Sequence, residues 1–172
     1  MSRANLDALL VKCGRDLDVD LSLGEEGDTM VQVDGNIDIT ISHNAEEGAV
    51  VVCATCGALP DEPEAKMLLL VEMLEANFNW AGTGGATLAV NGTENLIHIQ
   101  FKESTEMLDE ERLQTILRTI VHNAELWHGR LEAGSWESAR NARQEARNAE
   151  GTDGSSNGFG TDDSVPPDMI RI

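Results

Sequence analysis

Residues 67–78 read Met-Leu-Leu-Leu-Val-Glu-Met-Leu-Glu-Ala-Asn-Phe, and this stretch decides the fold. Residues 61–64, Asp-Glu-Pro-Glu, precede it with the acidic residues and the proline that are typical of a helix start. These residues are predicted to form the second helix of the chain, called helix two. Its apolar residues do not form one stripe, because residues 68–71 cover nearly its whole circumference. In so small a domain a sheet covers only one face of the helix. We therefore expect the other face to meet a second copy of the chain.

Three strands and a helix are predicted on the N-terminal side of helix two. Residues 30–33 and 37–42 alternate apolar with polar side chains around an Asp-Gly-Asn turn, which is a strong hairpin signal. Residues 49–56 follow as a valine-rich run suited to a strand that is buried on both faces. Before the hairpin, leucines at helical spacing predict a helix over residues 3–13 that Gly14 ends.

Two short strands and a long helix are predicted on the C-terminal side. A glycine-rich turn leads into strands at residues 88–90 and 96–101, and an apolar stripe from Leu113 to Leu131 then predicts the last helix. The order is helix, three strands, helix, two strands, helix. This order predicts an α+β fold in which an antiparallel sheet is packed with helices.

The composition divides the chain into a folded domain at residues 1–132 and a tail at residues 133–172. Within the tail, residues 151–163 consist almost entirely of Gly, Ser, Asn, Thr and Asp, so the tail is predicted to be polar and disordered. Its last four residues, Met-Ile-Arg-Ile, turn apolar again, which indicates either a short docking segment or a frayed terminus.

The charge of the chain excludes several kinds of partner. There are 31 Asp and Glu against 12 Lys and Arg, a formal charge of −19, which repels nucleic acid and anionic lipid. It favours a basic or extended polypeptide instead. No basic segment precedes a long apolar run, and the densest apolar stretch, residues 67–71, is too short to span a bilayer. A cytoplasmic protein without membrane insertion is predicted.

The pair Cys53-Ala-Thr-Cys56 has the spacing of a redox or metal motif. A redox pair needs its first thiol at a helix start, and a structural zinc site needs further ligands such as His43 or His98. Buried strand thiols are the favoured interpretation, and redox or metal chemistry is the alternative. No Ser-His-Asp set or carboxylate pair stands out. We therefore predict no catalytic residue, no cofactor and no metal site in a protein that is not an enzyme.

Three stretches resemble the CesT (Tir chaperone) family of class I type III secretion chaperones. Residues 21–41 resemble its first hairpin. The segment Leu74-Glu-Ala-Asn-Phe-Asn-Trp-Ala-Gly-Thr-Gly-Gly-Ala-Thr-Leu-Ala-Val90 resembles the family's passage from helix two through a glycine turn into a strand. Residues 108–127 resemble its final helix. The resemblance implies a homodimer that binds the N-terminal chaperone-binding segment of a secreted effector without ATP and keeps it secretion-competent.

The resemblance also implies where partners bind. Helix two should form the dimer interface, as its circumference also indicates, with Met67, Leu70, Val71 and Leu74 as candidates. Candidates for client grooves on the first helix and the hairpin are Leu6, Leu10, Met30, Val31, Ile37 and Ile39. Core packing is the alternative for each of the six, because the sequence does not separate core faces from groove faces.

Some family members also sequester regulators of secretion gene expression. A chaperone-like regulator that binds such a partner is therefore the alternative function. The tail departs from the usual short end of the family, and we expect it to serve this second kind of partner.

Overall fold

Three α-helices and five strands make up the part of the chain that the structure describes. This computed structural model describes residues 3–17, 19–33, 35 and 37–134. The elements are α1 (Arg3–Leu17), β1 (Asp28–Val33), β2 (Ile37–Asn44), β3 (Ala49–Ala58), α2 (Pro63–Asn77), a short 3-10 turn (Phe78–Trp80), β4 (Thr87–Asn91), β5 (Leu96–Ser104) and α3 (Glu110–Ala133). The α+β class and the element order predicted from the sequence are confirmed.

Helix α1 is longer than predicted, because Gly14 lies inside it rather than at its end. The chain folds back against this glycine: the Val19 amide donates to the Gly14 carbonyl at 2.9 Å. A β-carbon at position 14 would lie only 2.4 Å from the Val19 carbonyl oxygen. Glycine is therefore needed at position 14 because the backbone at Val19 approaches it closely. A residue that is typical of helix ends does not reveal this contact in the sequence.

The five strands form one antiparallel sheet in the order β1-β2-β3-β5-β4. Side chains that pair across it share a face, and the helix-facing side carries Ile39 and Ile41 of β2 opposite Ala54 and Val52 of β3. All four are at most 1% exposed. The prediction that β3 is buried on both faces is wrong, since Val51, Cys53 and Thr55 on the other face are only half-buried.

Helix α3 crosses the sheet and closes the core. Its buried stripe runs from Leu113 to Trp127, as the apolar periodicity predicts. Asp109 caps its first turn by accepting from the Arg112 amide at 2.8 Å. The guanidinium of Arg112 also lies 5.2 Å from the centre of the Phe101 ring and pairs with Glu103, so one residue ties the helix to β5.

Helix α2 begins at Pro63, as predicted. The Glu62 carboxylate accepts from the amides of Ala65 and Glu64, and these hydrogen bonds hold the pKa of Glu62 below its ordinary value. A 3.1 Å ion pair between Glu72 and Arg130 joins α2 to the last turns of α3.

Helix α3 ends at Ala133, where Gly134 adopts a left-handed conformation with φ 58°. From residue 135 onward the predicted tail lies outside the described residues, and its extent and disorder stay predictions. Among the helices described between residues 3 and 134, none is long and apolar enough to cross a bilayer.

Candidate peptide-binding groove and helix-two face

The sheet ends in two edge strands, and side chains close the first part of the edge at β4. The Asn77 side chain accepts from the Leu88 amide at 2.9 Å and donates to the Leu88 carbonyl at 3.1 Å. The Ala86 amide donates to the Thr83 carbonyl, and the Thr83 hydroxyl donates to the Ala86 carbonyl at 2.6 Å. The outward backbone groups of Ala86 and Leu88 are thus satisfied, and a strand that paired with these two residues would have to displace both side chains. Only Val90 remains open on this edge among the described residues of β4.

The edge at β1 is open. In an antiparallel ladder, alternate residues point both backbone groups away from the neighbouring strand. The Asp28 carbonyl accepts from the Gly24 amide at 2.7 Å, which shows that Asp28, Met30 and Gln32 form the outward set. No other hydrogen bond from the described residues reaches the outward backbone groups of Met30 and Gln32. These two residues can therefore pair with an added strand.

An apolar groove of about 500 Å³ runs between β1 and α3. Val31 and Val33 of β1 form one wall, and Leu117 and Val121 of α3 form the other. An extended peptide that joined β1 would direct every second side chain into this groove. Backbone pairing and side-chain pockets thus occur together at one edge of the sheet.

The groove's polar residues lie mainly on α3. Arg118, His122 and Glu125 line it at successive turns of the helix. Arg118 and His122 are exposed and accessible to a bound molecule. The rim therefore carries charge of both signs beside an apolar interior.

The structure separates the six candidate client residues. Val31 lines the groove, Ile39 forms part of its floor, and Met30 is 70% exposed on the other face of β1. The other three, Leu6, Leu10 and Ile37, are at most 1% exposed, so their side chains belong to the core. A client would reach these three only if the core opened. Of the six candidates, only Val31, Ile39 and Met30 therefore remain as candidates for the client surface.

Sequence reasoning missed Val33 and the α3 wall. The alternation of Val31 and Val33 indicated one face of β1, but not that this face lies at the mouth of a groove. Leu117 and Val121 lie on the apolar stripe of α3. The stripe alone does not show which of its residues the sheet covers. The position of α3 over the sheet decides this, and the sequence carries no local signal for it.

Helix α2 has two apolar faces. Leu69 and Met73 are buried in the core, whereas Met67, Val71 and Leu74 are 59%, 43% and 69% exposed. These three lie at i, i+4 and i+7, which places them in one stripe. The fourth candidate of the dimer interface, Leu70, is half-buried and packs against the core instead.

Two exposed aromatic residues follow the stripe, and sequence reasoning did not assign them to it. Phe78 continues the helical spacing four residues after Leu74 and is 73% exposed. Trp80 is 56% exposed, and both Asn79 and Trp80 have φ of 53°. A left-handed conformation in a bulky residue such as Trp80 is unusual and costs on the order of 1 kcal/mol or more.

The two strand cysteines lie in surroundings that favour the neutral thiol. Burial raises the pKa of Cys53, and burial together with the neighbouring Cys53 raises the pKa of Cys56 to about 12. A protonated thiol is a poor nucleophile and a poor metal ligand. Within the described part of the chain no cluster of three His, Cys, Asp or Glu side chains is placed to hold a metal ion. The interpretation as structural thiols is favoured.

Comparison with solved structures finds the same fold in many chains, and three complexes are among them. They are the ExsC–ExsE complex (17% identity, TM-score 0.63, 73% of this chain and 92% of the other), the HopA1–SchA chaperone–effector complex (18%, 0.59, 75% and 98%) and the Yersinia pestis type III secretion chaperone SycH with a stable fragment of YscM2 (17%, 0.53, 69% and 95%). At these identities the likeness shows the fold alone.

A comparison by sequence leads further. No curated protein matches the chain significantly. The model of the Tir chaperone protein (CesT) family, however, matches residues 8–128, which is well over half of the chain. The resemblance seen in the sequence is confirmed, and the chain belongs to the Tir chaperone protein (CesT) family.

Proposed function

We propose that this protein is a cytoplasmic, non-catalytic chaperone of type III secretion, which binds the N-terminal region of one or more effectors as a homodimer without ATP. The observation that carries the proposal is the open edge of β1 beside an apolar groove. Family membership supports it, and so does the shared fold with chaperones that were solved in complex with partner proteins, such as SchA with HopA1.

The binding mode follows from the geometry of this edge. The outward backbone groups of Met30 and Gln32 pair with an extended client segment, and alternate client side chains enter the groove. A segment held in this way stays extended and cannot fold on itself, which keeps it competent for secretion. Burial of apolar surface and backbone pairing supply the binding free energy, so no nucleotide is needed.

The dimer is proposed to form through the exposed stripe of α2. A two-fold axis brings the same stripe of two copies together, so that Met67, Val71 and Leu74 of each copy are covered. This arrangement accounts for apolar side chains that would otherwise remain in water. It also gives the assembly two grooves, around which one client chain can wrap.

The proposal is tested by co-expressing this protein with the N-terminal region of the secreted protein encoded beside its gene. Light scattering on the purified complex should show two copies of this chain for each client. Val121→Asp places a charge in the groove wall and should abolish the complex. Leu126→Asp is the matched control, because Leu126 is 41% exposed on the same helix and does not line the groove.

Circular dichroism establishes that both variants fold. Client binding that is unchanged in a folded Val121→Asp protein would refute the groove as the client site. The alternative partner, a regulator of secretion gene expression, stays a prediction. The displacement of a bound regulator by an effector would identify this alternative function.

A further inference from the structure

The charge beside the groove differs from that of the chain as a whole. The formal charge of −19 favours basic partners at long range. Yet the α3 wall of the groove places a guanidinium, that of Arg118, next to the apolar side chains of Leu117 and Val121. A molecule entering the groove therefore meets a cation at close range.

Eight Lys and Arg side chains lie in the described part of the chain, and Arg118, like Arg3, Arg15 and Lys66, forms no ion pair there. Four of those cations form ion pairs with carboxylates: Lys12 with Glu110, Lys102 with Glu47, Arg112 with Glu103 and Arg130 with Glu72. Within the described residues no ion pair forms at Arg118, whose guanidinium makes only a long contact of 3.4 Å with the neutral Gln114 side chain. In a chain with a large excess of carboxylates, this cation is left available.

The neighbouring charges on α3 do not neutralise it. Glu111 precedes Arg118 by seven residues and Glu125 follows by seven, so each lies about 10 Å away along the helix axis. His122, one turn further on, is the nearest titratable side chain of the groove on this helix. The strands that face α3 across the groove contribute Val31, Gln32, Val33 and Ile39, none of which is charged.

We propose that Arg118 selects client segments in which an acidic side chain stands two residues from an apolar one, so that both point into the groove. This inference rests on the proposed function and names the chemistry of the client. The carboxylate pairs with the guanidinium while the apolar side chains fill the space between β1 and α3. Docking of the peptide removes water from the pair, which makes it stronger than an ion pair on an open surface.

Three blocked, fluorescein-labelled heptapeptides test this preference on the full-length protein. Their sequence is Ser-Val-Thr-Asp-Thr-Val-Ser, with Asp, Asn or Lys in the centre, and fluorescence anisotropy gives their affinities. The wild type should bind the Asp peptide about tenfold more tightly than the Asn peptide. The whole-chain charge alone predicts the opposite result, with the Lys peptide bound most tightly.

Arg118→Glu should reverse the order, so that the Lys peptide binds best. The matched control is Lys102→Glu, which changes the net charge equally at an exposed position on the other face of the sheet. This control should keep the preference for Asp. Equal affinities in the wild type, or tightest binding of the Lys peptide, would overturn the inference and leave the proposed function standing. If none of the three peptides binds at millimolar concentration, the groove is not a strand-binding site and both proposals fail.

Discussion

Leu74→Ala should weaken self-association strongly while leaving the stability of the single protomer unchanged. Full burial of a leucine side chain contributes about 1.5–3 kcal/mol. Leu74 is 69% exposed in the single chain, so covering it in a dimer contributes about 1–2 kcal/mol for each copy. A two-fold interface uses the residue twice. The total of about 2–4 kcal/mol corresponds to a rise of roughly 30- to 1,000-fold in the dissociation constant of the dimer.

Sedimentation equilibrium measures that constant, and urea denaturation of the dissociated protein measures the stability of the protomer. Leu126→Ala, a matched change at an exposed leucine of α3, should leave both quantities unchanged. Leu69→Ala, on the buried face of α2, should instead cost about 2–5 kcal/mol of unfolding free energy. If the dissociation constant of Leu74→Ala stays within about threefold of the wild type, the stripe is not the interface.

Four further substitutions test the fold itself. Asn77→Ala removes both hydrogen bonds to Leu88 and should lower the urea-unfolding free energy by about 1–3 kcal/mol; an unchanged value would mean that water replaces the side chain. Gly129→Ala places a β-carbon in open space and should raise the free energy of unfolding by about 0.5–1 kcal/mol. Gly14→Ala should lower it by at least about 1 kcal/mol, because the β-carbon clashes with the chain behind α1. Shifts of the same sign in the two variants would contradict this explanation of Gly14. The pKa of Cys56 is raised from 9.0 to about 12, so its contribution to stability is complete below pH 9 and is lost as the pH rises from 9 toward 12. Cys56→Ala should therefore lose less stability than the wild type between pH 9 and 11. Parallel curves of unfolding free energy against pH would refute the raised pKa.

The order of elements was predictable because it depends on local patterns. Alternation around the Asp-Gly-Asn turn identified the hairpin, and the apolar spacing of α3 identified that helix, since both periods are properties of neighbouring residues. The extent of α1 was not predictable. Gly14 is a common helix-end residue, and only the returning chain at Val19 shows that it serves close packing instead.

The candidate site was predicted less completely than the fold. Ile37 and Val31 look alike in the sequence, as apolar residues of alternating strands. They differ because α3 covers the inner strands of the sheet and leaves β1 at the side of a groove. The exposed face of α2 was easier to foresee, since no helix can bury its whole circumference against one sheet. Which of its leucines stays exposed, Leu70 or Leu74, depends on the rotation of the helix about its axis.

The difference between the two sheet edges limits how this protein can polymerise. A sheet with two open edges can add further copies at both ends and grow into a filament. Here Asn77 and Thr83 occupy the edge beside Ala86 and Leu88, so a growing stack would have only Val90 left for pairing at its second edge. Two single copies that met through β1 would use up the open edge of each, but two α2-joined dimers that met in this way would still have a free β1 edge at either end. A client segment bound along β1, as proposed, would therefore also block this remaining route to fibres.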